Sequence, residues 1–326
     1  AVGVLGTAFF FFFSMWPLNF WLVPAYSAAM APSAALFAVL TKVGVYVILR
    51  LWTLLFSSEA GESALFGGSW LMVGGMLTMV YGAIGMLGSQ RLTHLAGFAA
   101  ILSSGTLLAA TGFGQNLLTA GLLYYLPGST LAVGALFLIA DVVDRWRVDD
   151  DAGEPYEDEE APFLNAELLP TEGFNLDEDE ELLIGRAVPA AAAFIGLSFM
   201  VCTLLISGLP PLSGFVGKFA MLTTLLNPLG LSTSNGVQAG WQGWTMVALL
   251  IITGLLALIA LTRAGIRHFW ANPEQSAPSL KVAEGLPIAG LLLCCVALTV
   301  KADDVMRYTL RAANALHSPD VYVSTV

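Results

Sequence analysis

Charged residues are scarce in this chain: Asp, Glu, Lys and Arg make up 11% of its 326 residues, against about 25% in soluble domains. The net charge of -11 comes mostly from one dense acidic run, and that run argues against nucleic acid as a partner. Cysteine is nearly absent, and Cys202, Cys294 and Cys295 lie in apolar stretches without the spacing of a metal or redox site. Because no nucleophile elbow, zinc motif or dinucleotide fingerprint is present either, we expect no cofactor and no bound metal.

Long apolar runs dominate the sequence instead. Hydrophobic residues make up 57% of the chain, and the mean hydropathy is +0.77. Several runs reach the roughly 20 residues that a helix needs to cross a bilayer. We therefore predict an all-α polytopic membrane protein of about eight transmembrane helices, which correspond to the apolar segments 1–16, 31–56, 68–88, 92–112, 116–143, 187–226, 244–266 and 284–301.

The chain divides into four predicted regions. Residues 1–143 hold about five transmembrane helices, and residues 144–186 form an acidic cytoplasmic segment. Residues 187–302 hold about three more helices, and residues 303–326 form a polar, amphipathic tail. The chain starts without a methionine, a charged n-region or a cleavage site, so we expect a longer protein whose first part precedes this sequence.

Charge is unevenly placed along the chain. Of the 24 acidic residues, 17 fall between Asp141 and Glu181, where like charges favour a solvated segment. When the connections between helices are assigned alternately to two sides, the acidic segment shares its side with most of the basic loop residues. Basic loops face the cytoplasm, so we predict that this side is cytoplasmic; its basic residues are Arg91, Arg145, Arg147, Arg186, Arg263, Arg267 and Lys281.

Two lysines belong to no loop. Lys42 lies within "AALFAVLTKVGVYVILRL", and Lys218 lies within "SGFVGKFAMLTTLL". A charge near the bilayer centre costs about 2.5–3.5 kcal/mol on insertion scales, and such residues usually mark an ion or proton path. We predict that both lysines act in a proton relay; the alternative for each is a side chain that extends to the membrane surface.

The stretch "SGLPPLSGFVGKFAML" interrupts the sixth apolar segment directly before Lys218. Pro210 and Pro211 remove backbone donors, and Gly214 and Gly217 loosen the following helix. Broken helices occur at membrane depth only where the freed backbone groups contact protein, water or ions. The sequence thus predicts a hydrated pocket at the break, in which Lys218 exchanges its proton. A kink that serves packing alone is the alternative.

Several other polar residues are candidates for the relay. His94 lies near the start of the fourth segment and is either a proton carrier or an ordinary helix-end residue. Ser103, Ser104 and Thr106 either line a wet path or bond to the backbone one turn earlier. Asp141 ends the fifth segment and is either a cytoplasmic proton-uptake group or an ordinary interface carboxylate.

The stretches "WPLNFWLVPAYSAAMAPSAALFAVLTKVGVYVILRL" and "GLPPLSGFVGKFAML" resemble the proton-translocating antiporter-like family. This family includes the large subunits of Mrp-type (Pha-type) cation/proton antiporters and the antiporter-like subunits of respiratory complex I. With the acidic insert between them, the two stretches most resemble the D-type subunits of Mrp/Pha antiporters. The resemblance implies part of an inverted-repeat fold of about fourteen helices, in which this chain corresponds to the seventh through the fourteenth.

The resemblance also implies roles for individual residues. It gives Lys42 the place of the mid-membrane lysine on the family's eighth helix, and Lys218 that of the lysine on its broken twelfth helix. Two positions depart from the family pattern: Phe12 stands where the seventh helix usually carries a lysine, and Gly128 where the eleventh often carries a histidine. These departures put part of the family's polar axis in question for this chain.

Three classes of function follow. We predict a proton-conducting subunit of a multisubunit Na+ or K+/proton antiporter in the bacterial inner membrane, a transporter subunit rather than an enzyme. Its expected partners are other subunits of that complex, protons, a monovalent cation and the lipid bilayer. The alternative is a membrane-arm subunit of a complex I-like NADH:quinone oxidoreductase or a related hydrogenase. A purely structural membrane subunit is the third class, which Phe12 favours and the two lysines disfavour.

Overall fold

The computed structural model describes residues 15–56, 65–153, 189–227, 240–270 and 280–318. All regular secondary structure in these ranges is helical, as the sequence predicts. A π-helical turn at Ile266–Trp270 directly follows the helix that ends at Gly265. The helices are α1 (Leu22–Ala28), α2 (Ala31–Leu55), α3 (Gly68–Gly88), α4 (Leu92–Gly112), α5 (Asn116–Gly153), α6 (Ala190–Ser207), α7 (Ser213–Leu226), α8 (Trp241–Gly265), α9 (Val282–Val300) and α10 (Ala302–His317).

Within these ranges, 7 helices are long and apolar enough to cross a membrane. They are α2, α3, α4, α5, α6, α8 and α9, and each begins within a few residues of one of the predicted segments after residue 30. The first predicted segment, 1–16, lies almost entirely outside the described residues. The chain is therefore a multi-pass membrane protein, as its composition predicts.

Helix α4 lies at the centre of the bundle, and nearly all of its apolar stretch is buried. Helix α3 packs along it through glycines. A β-carbon on Gly75 would lie 2.2 Å from the backbone nitrogen of Ala109, and one on Gly105 would lie 2.6 Å from that of Met79. Because lipid is as apolar as the side chains, close contact of this kind is what associates helices in a membrane. The pairing with α3 thus fixes the position of α4 in the bundle.

The sixth predicted segment consists of two helices, because α6 ends at Ser207 and α7 begins at Ser213. Gly208 follows α6 with a φ of 78°, a conformation that favours glycine. Its amide and that of Leu209 both donate to the carbonyl of Leu204 at 3.0 Å. The predicted break at Pro210–Pro211 is confirmed, and the last carbonyls of α6 are left without a helical donor.

Helix α5 extends further than the segment predicted for it. The sequence predicts a helix over 116–143, whereas the structure continues the helix through Gly153. Arg145 accounts for part of the extension, because its Nε lies 3.1 Å from Oδ2 of Asp141 one turn earlier, and such pairs stabilise a helix. The acidic segment predicted for 144–186 therefore begins as helix, and its greater part lies outside the described residues.

Helix α10 begins the predicted polar tail and lies against the start of α5. Nε2 of His317 lies 3.0 Å from Oγ1 of Thr119. Burial lowers the pKa of His317 below its ordinary value of 6.5, because a charged imidazole would lose solvation there. Asp303 and Arg307, which pair at 2.9 Å, lie on the exposed side of the helix. Helix α10 is thus amphipathic, with its buried side held at the end of the bundle.

Acidification should loosen the end of α10. Because the pKa of His317 is lower in the folded protein than in an unfolded chain, its contribution to stability is present above about pH 6.5 and is lost as the pH falls through the folded-state value. A spin label at Ser318→Cys, in a cysteine-free background, should become more mobile between about pH 7 and about pH 5. The same label in a His317→Gln variant should show no such pH dependence. Equal mobility of the label in the wild-type background at both pH values would contradict this docking.

Candidate functional site

Lys42 lies in the middle of α2 and is 1% exposed. Its Nζ lies 3.0 Å from the carbonyl oxygen of Ala100, 2.5 Å from Oγ of Ser103 and 2.8 Å from Oγ of Ser104. An ammonium group has three N–H donors, so each donor has an acceptor on α4. The structure therefore brings two of the predicted relay residues, Ser103 and Ser104, to Lys42.

The two serine hydroxyls form the backbone bond that the sequence gives as one of two alternatives, and they also contact Lys42. Each donates to the carbonyl of Ala100 at 2.9 Å, which is the predicted bond to the backbone one turn earlier. Because the hydroxyl proton is used in that bond, the oxygen lone pairs are free to accept from Nζ of Lys42. One turn of α4 thus offers three neutral oxygen atoms to a single buried amine.

Lys218 is bound by the broken end of a helix. It lies in the second turn of α7 and is 7% exposed. Its Nζ lies 3.0 Å from the carbonyl oxygen of Ile206 and 2.8 Å from that of Ser207. These carbonyls end α6, and a helix C-terminus attracts positive charge. The sequence predicts that these freed carbonyls belong to a hydrated pocket. In the structure they accept hydrogen bonds from the amine of Lys218.

Two glycines make room for Lys218, and sequence reasoning identifies neither as a site residue. A β-carbon on Gly208 would lie 2.5 Å from Cδ of Lys218. One on Gly254 of α8 would lie 3.6 Å from Nζ of Lys218 and 2.8 Å from the carbonyl of Ser207. An isolated glycine in a helix costs roughly 1 kcal/mol relative to alanine. Because glycine is nevertheless frequent in membrane helices, the sequence alone does not mark the one within "IITGLLALIA" as a site residue.

The glycines of α7 have a different role from the predicted one. The sequence predicts that Gly214 and Gly217 loosen the helix, yet α7 is continuous through both. A β-carbon on Gly214 would lie 2.0 Å from the carbonyl oxygen of Leu205, and one on Gly217 would lie 2.9 Å from Cβ of Tyr125. Both glycines therefore allow α7 to pack closely, against α6 and α5 respectively, while the two prolines of the break are exposed.

Asp141 and His94 lie apart from Lys42. His94 is in the first turn of α4, about 9 Å along the helix axis from Ala100 by helical rise. The described hydrogen bonds of Lys42 include neither residue. Asp141 lines a cavity of about 370 Å³ at one end of the bundle, and the other polar residues of that cavity are Tyr26, Ser27, Arg91, Thr93 and Asp144.

A narrow gap separates the two lysine sites. Ser103, which accepts a hydrogen bond from Lys42, lines one part of it, and Ile206, whose carbonyl accepts one from Lys218, lines another. The gap is too narrow to hold a water molecule. The gap thus touches a residue from the surroundings of each amine, and its other lining residues are Ala99, Leu102, Tyr125, Ser129 and Val133.

No group of three or more His, Cys, Asp or Glu side chains in the described ranges is placed to hold a metal ion. Cys202 and Cys295 are buried, whereas Cys294 is exposed. Their placement fits the expected role of small hydrophobic residues in apolar helices.

Comparison with known proteins supports a family assignment. Residues 1–152 match the family described as "NADH:quinone oxidoreductase/Mrp antiporter, TM". These residues belong to that family. The chain is 46% identical over 316 residues to the D-type subunit of a probable K(+)/H(+) antiporter of Rhizobium meliloti, covering 97% of this chain and 56% of the relative. It is 26% identical over 334 residues to the D-type subunit of a Na(+)/H(+) antiporter of Alkalihalophilus pseudofirmus, covering 100% of this chain and 58% of the relative.

The predicted resemblance is thereby confirmed, and this chain spans a little over half the length of the curated relatives it matches. Its fold is similar to that in a structure of the Mrp complex from Dietzia sp., with a TM-score of 0.63 and 22% identity over 91% of this chain and 28% of that one. It is also similar to a chain of respiratory complex I from Thermus thermophilus, with a TM-score of 0.67 and 21% identity over 96% of this chain and 57% of that one. The predicted antiporter-like fold is therefore present.

Replacing Gly208 by alanine should displace the amine of Lys218. The new β-carbon would lie 2.5 Å from Cδ of Lys218, in addition to the strain of a φ of 78°. Gly67→Ala is the matched control, because Gly67 has a φ of 76° and nothing within 4 Å of a β-carbon. Both variants should lose about 1–3 kcal/mol of stability from the backbone strain. If Lys218 acts in the predicted proton relay, only Gly208→Ala should also lose proton exchange in proteoliposomes that contain the assembled complex. Equal proton exchange by the two variants would show that exchange does not depend on the space that Gly208 leaves for the side chain of Lys218.

Proposed function

We propose that this chain is a proton-conducting subunit of a multisubunit monovalent cation/proton antiporter, in which Lys42 and Lys218 relay the proton. The observation that carries the proposal is that both amines are buried and bound to neutral oxygen atoms. In the described part of the chain, neither lysine takes part in an ion pair. A lysine kept for a structural ion pair would face a carboxylate, and loss of its proton would leave that charge unpaired. An amine among neutral acceptors can lose and regain a proton without that penalty.

The position of Lys42 favours the proposed relay over the alternative, in which its side chain extends to the membrane surface. By helical rise it lies roughly 17 Å from one end of α2 and roughly 20 Å from the other. Its amine contacts the middle of α4, the most buried helix of the described bundle, rather than either surface. Asp141 and His94 lie nearer the cavity at the end of the bundle, and we assign them to proton uptake toward Lys42.

Contacts between helix ends support the topology that the basic loops predict. Arg145 near the end of α5 contacts Glu284 at the start of α9 at 2.9 Å. Arg263 near the end of α8 donates to the carbonyl of Leu87 at the end of α3. These ends share one side of the bundle, which we assign to the cytoplasm of a bacterial cell whose inner membrane holds the protein. The acidic segment that follows α5 would leave from the same side.

Partner subunits complete the proposed transporter. The similar proteins are named as components of K(+)/H(+) and Na(+)/H(+) antiporters, so we assign the exchanged ion to the class of monovalent cations. Because no three-residue acidic cluster lies in the described ranges, we assign the cation to a path formed with other subunits. In this arrangement the chain conducts protons within the bilayer and requires no cofactor of its own.

A complex I-like membrane subunit is the second candidate. The fold similarity favours it, since the TM-score with the Thermus thermophilus complex I chain is 0.67. The 46% identity to a protein named as an antiporter component favours the first candidate more strongly. The proteins that copurify with this chain decide between the two: quinone-reducing or hydrogenase subunits with redox cofactors would overturn the antiporter proposal.

Lys218→Ala should abolish cation-dependent proton exchange while leaving assembly intact, because the variant has no amine at the end of α6. Lys218→Arg should fail as well, since a guanidinium group does not release its proton at working pH. The matched control is Lys301→Ala, which removes a lysine with a 70% exposed side chain. Exchange is measured as the collapse of a pH gradient on cation addition in proteoliposomes. Near-normal exchange by assembled Lys218→Ala complex would contradict the relay.

The side of the membrane that carries the acidic segment can be tested with a cysteine at Ala152. An impermeant thiol reagent should label it in inside-out vesicles but not in intact cells, because like charges keep this segment in solution on the cytoplasmic side. A cysteine-free parent protein measures the background labelling by the reagent. Labelling from outside intact cells would invert the proposed topology.

A further inference from the structure

Helices α5, α7 and α9 meet at small residues close to the break between α6 and α7. Gly128 of α5 and Cys295 of α9 are both buried, and Sγ of Cys295 lies 3.9 Å from the carbonyl oxygen of Gly128. Ser213, the first residue of α7, is 1% exposed and faces the same glycine. Gly128 therefore lies inside the bundle with a small residue of a neighbouring helix on either side.

Open space lies beside Gly128. Apart from neighbouring parts of α5, a β-carbon on this glycine would have only two heavy atoms within 4 Å, which are Oγ of Ser213 at 3.2 Å and Cβ of Ser213 at 3.7 Å. At Gly217, one turn further along α7, a β-carbon would instead meet three atoms of Tyr125 within 3.3 Å. The contact between α5 and α7 is thus filled at Gly217, whereas at Gly128 it consists of one serine side chain that borders a space.

The hydroxyl of Ser213 borders this space without a protein partner. Its oxygen is buried, and no described residue forms a hydrogen bond with it. Ser207 in α6 avoids this situation by donating to the carbonyl of Thr203 one turn earlier, at 2.7 Å. Ser213 begins its helix and has no preceding turn to bond to. Because a buried hydroxyl without a partner is destabilising, such groups are nearly always bonded to protein or to ordered water.

The first turn of α7 also has backbone donors to satisfy. The carbonyl of Leu212 accepts from the amides of Phe215 and Val216 at 3.0 Å and 3.4 Å, and Leu212 supplies no side-chain cap. The hydrogen bonds of the described residues include none from the amides of Ser213 and Gly214. The amides at the start of a helix give it a partial positive charge, which attracts the lone pairs of an oxygen atom. The surroundings of Ser213 therefore favour a ligand that can both accept and donate.

We propose that the space beside Gly128 binds a water molecule, which is held by the hydroxyl of Ser213. Buried waters occupy spaces of about one molecule beside polar groups that would otherwise lack hydrogen bonds. A neutral ligand is favoured over an ion, because a buried ion without a counter-charge is strongly unfavourable. The site is separate from the amine of Lys218, since Ser213 lies five residues and about 7.5 Å along the helix axis from that lysine.

Cryo-electron microscopy of the assembled complex tests the site directly. In a map that resolves ordered waters elsewhere in the bundle, the wild type should show density at about 2.7–3.0 Å from Oγ of Ser213. Gly128→Ala should remove this density, because the added methyl group takes the space. Gly134→Ala should keep it and is the matched control, since its β-carbon would meet only apolar atoms of other helices, at 3.8 Å and 3.9 Å. A wild-type map with ordered waters elsewhere but none at Ser213 would overturn the inference.

Thermal stability gives a second test, in which the two outcomes differ in sign. If a water completes the bonding of Ser213, Ser213→Ala loses a hydrogen bond and should lower the Tm of the assembled complex by about 1–3 °C. If the hydroxyl has no partner, the same substitution removes an unsatisfied buried group and leaves the Tm unchanged or raises it, which would contradict the proposed water. Should Ser213→Ala fail to assemble, the maps of the wild type and of Gly128→Ala decide.

This inference does not rest on the proposed relay, because neither measurement depends on proton exchange. Loss of exchange in Lys218→Ala would support the relay whether or not a water lies at Ser213. Absence of the water would leave the relay through the two lysines as it stands.

Discussion

An ammonium group that leaves water must find oxygen acceptors inside the protein, because an isolated charge in an apolar medium is strongly unfavourable. In a bundle of helices this requirement is severe, since the backbone carbonyls of each helix already accept bonds from within the helix. The two buried lysines meet it in the two ways that a helical protein offers. Lys42 uses hydroxyls added to an intact helix, and Lys218 uses the carbonyls at the end of an interrupted one.

Much of the surrounding packing follows from these two arrangements. The serines reach Lys42 only if α4 lies deep in the bundle, and the glycines shared by α3 and α4 permit that close approach. The end of α6 reaches Lys218 only if α7 folds back closely upon it, which Gly208 and Gly214 allow. Small residues are therefore placed where backbone must come near backbone, and at Gly208 and Gly254 they also leave room for the side chain of Lys218.

The sequence was sufficient to predict the helical membrane fold, the break and the two lysines, because each is a strong local signal. An apolar run, a pair of prolines and a charge at membrane depth can all be read without knowing a neighbour. Gly254 could not be identified in this way, since a glycine in an apolar helix is common. Its importance depends on which residues face it, here Ser207 and Lys218. The prediction ends α5 at residue 143 because it follows hydrophobicity alone. The helix extends further, and i,i+4 pairs such as Asp141 with Arg145 support the extension.

Gly128, where the resemblance to the family would place a histidine, lies in the contact between α5 and α7. A β-carbon at this position would lie 3.2 Å from Oγ of Ser213, the first residue of α7. One turn earlier on α5, Tyr125 meets Gly217 just as closely. A larger side chain at position 128 would therefore crowd the start of α7 and require the Ser213 side chain to move. The start of α7, which carries Lys218 in its second turn, can therefore lie close to α5 because both contact positions of α7 meet small residues or backbone.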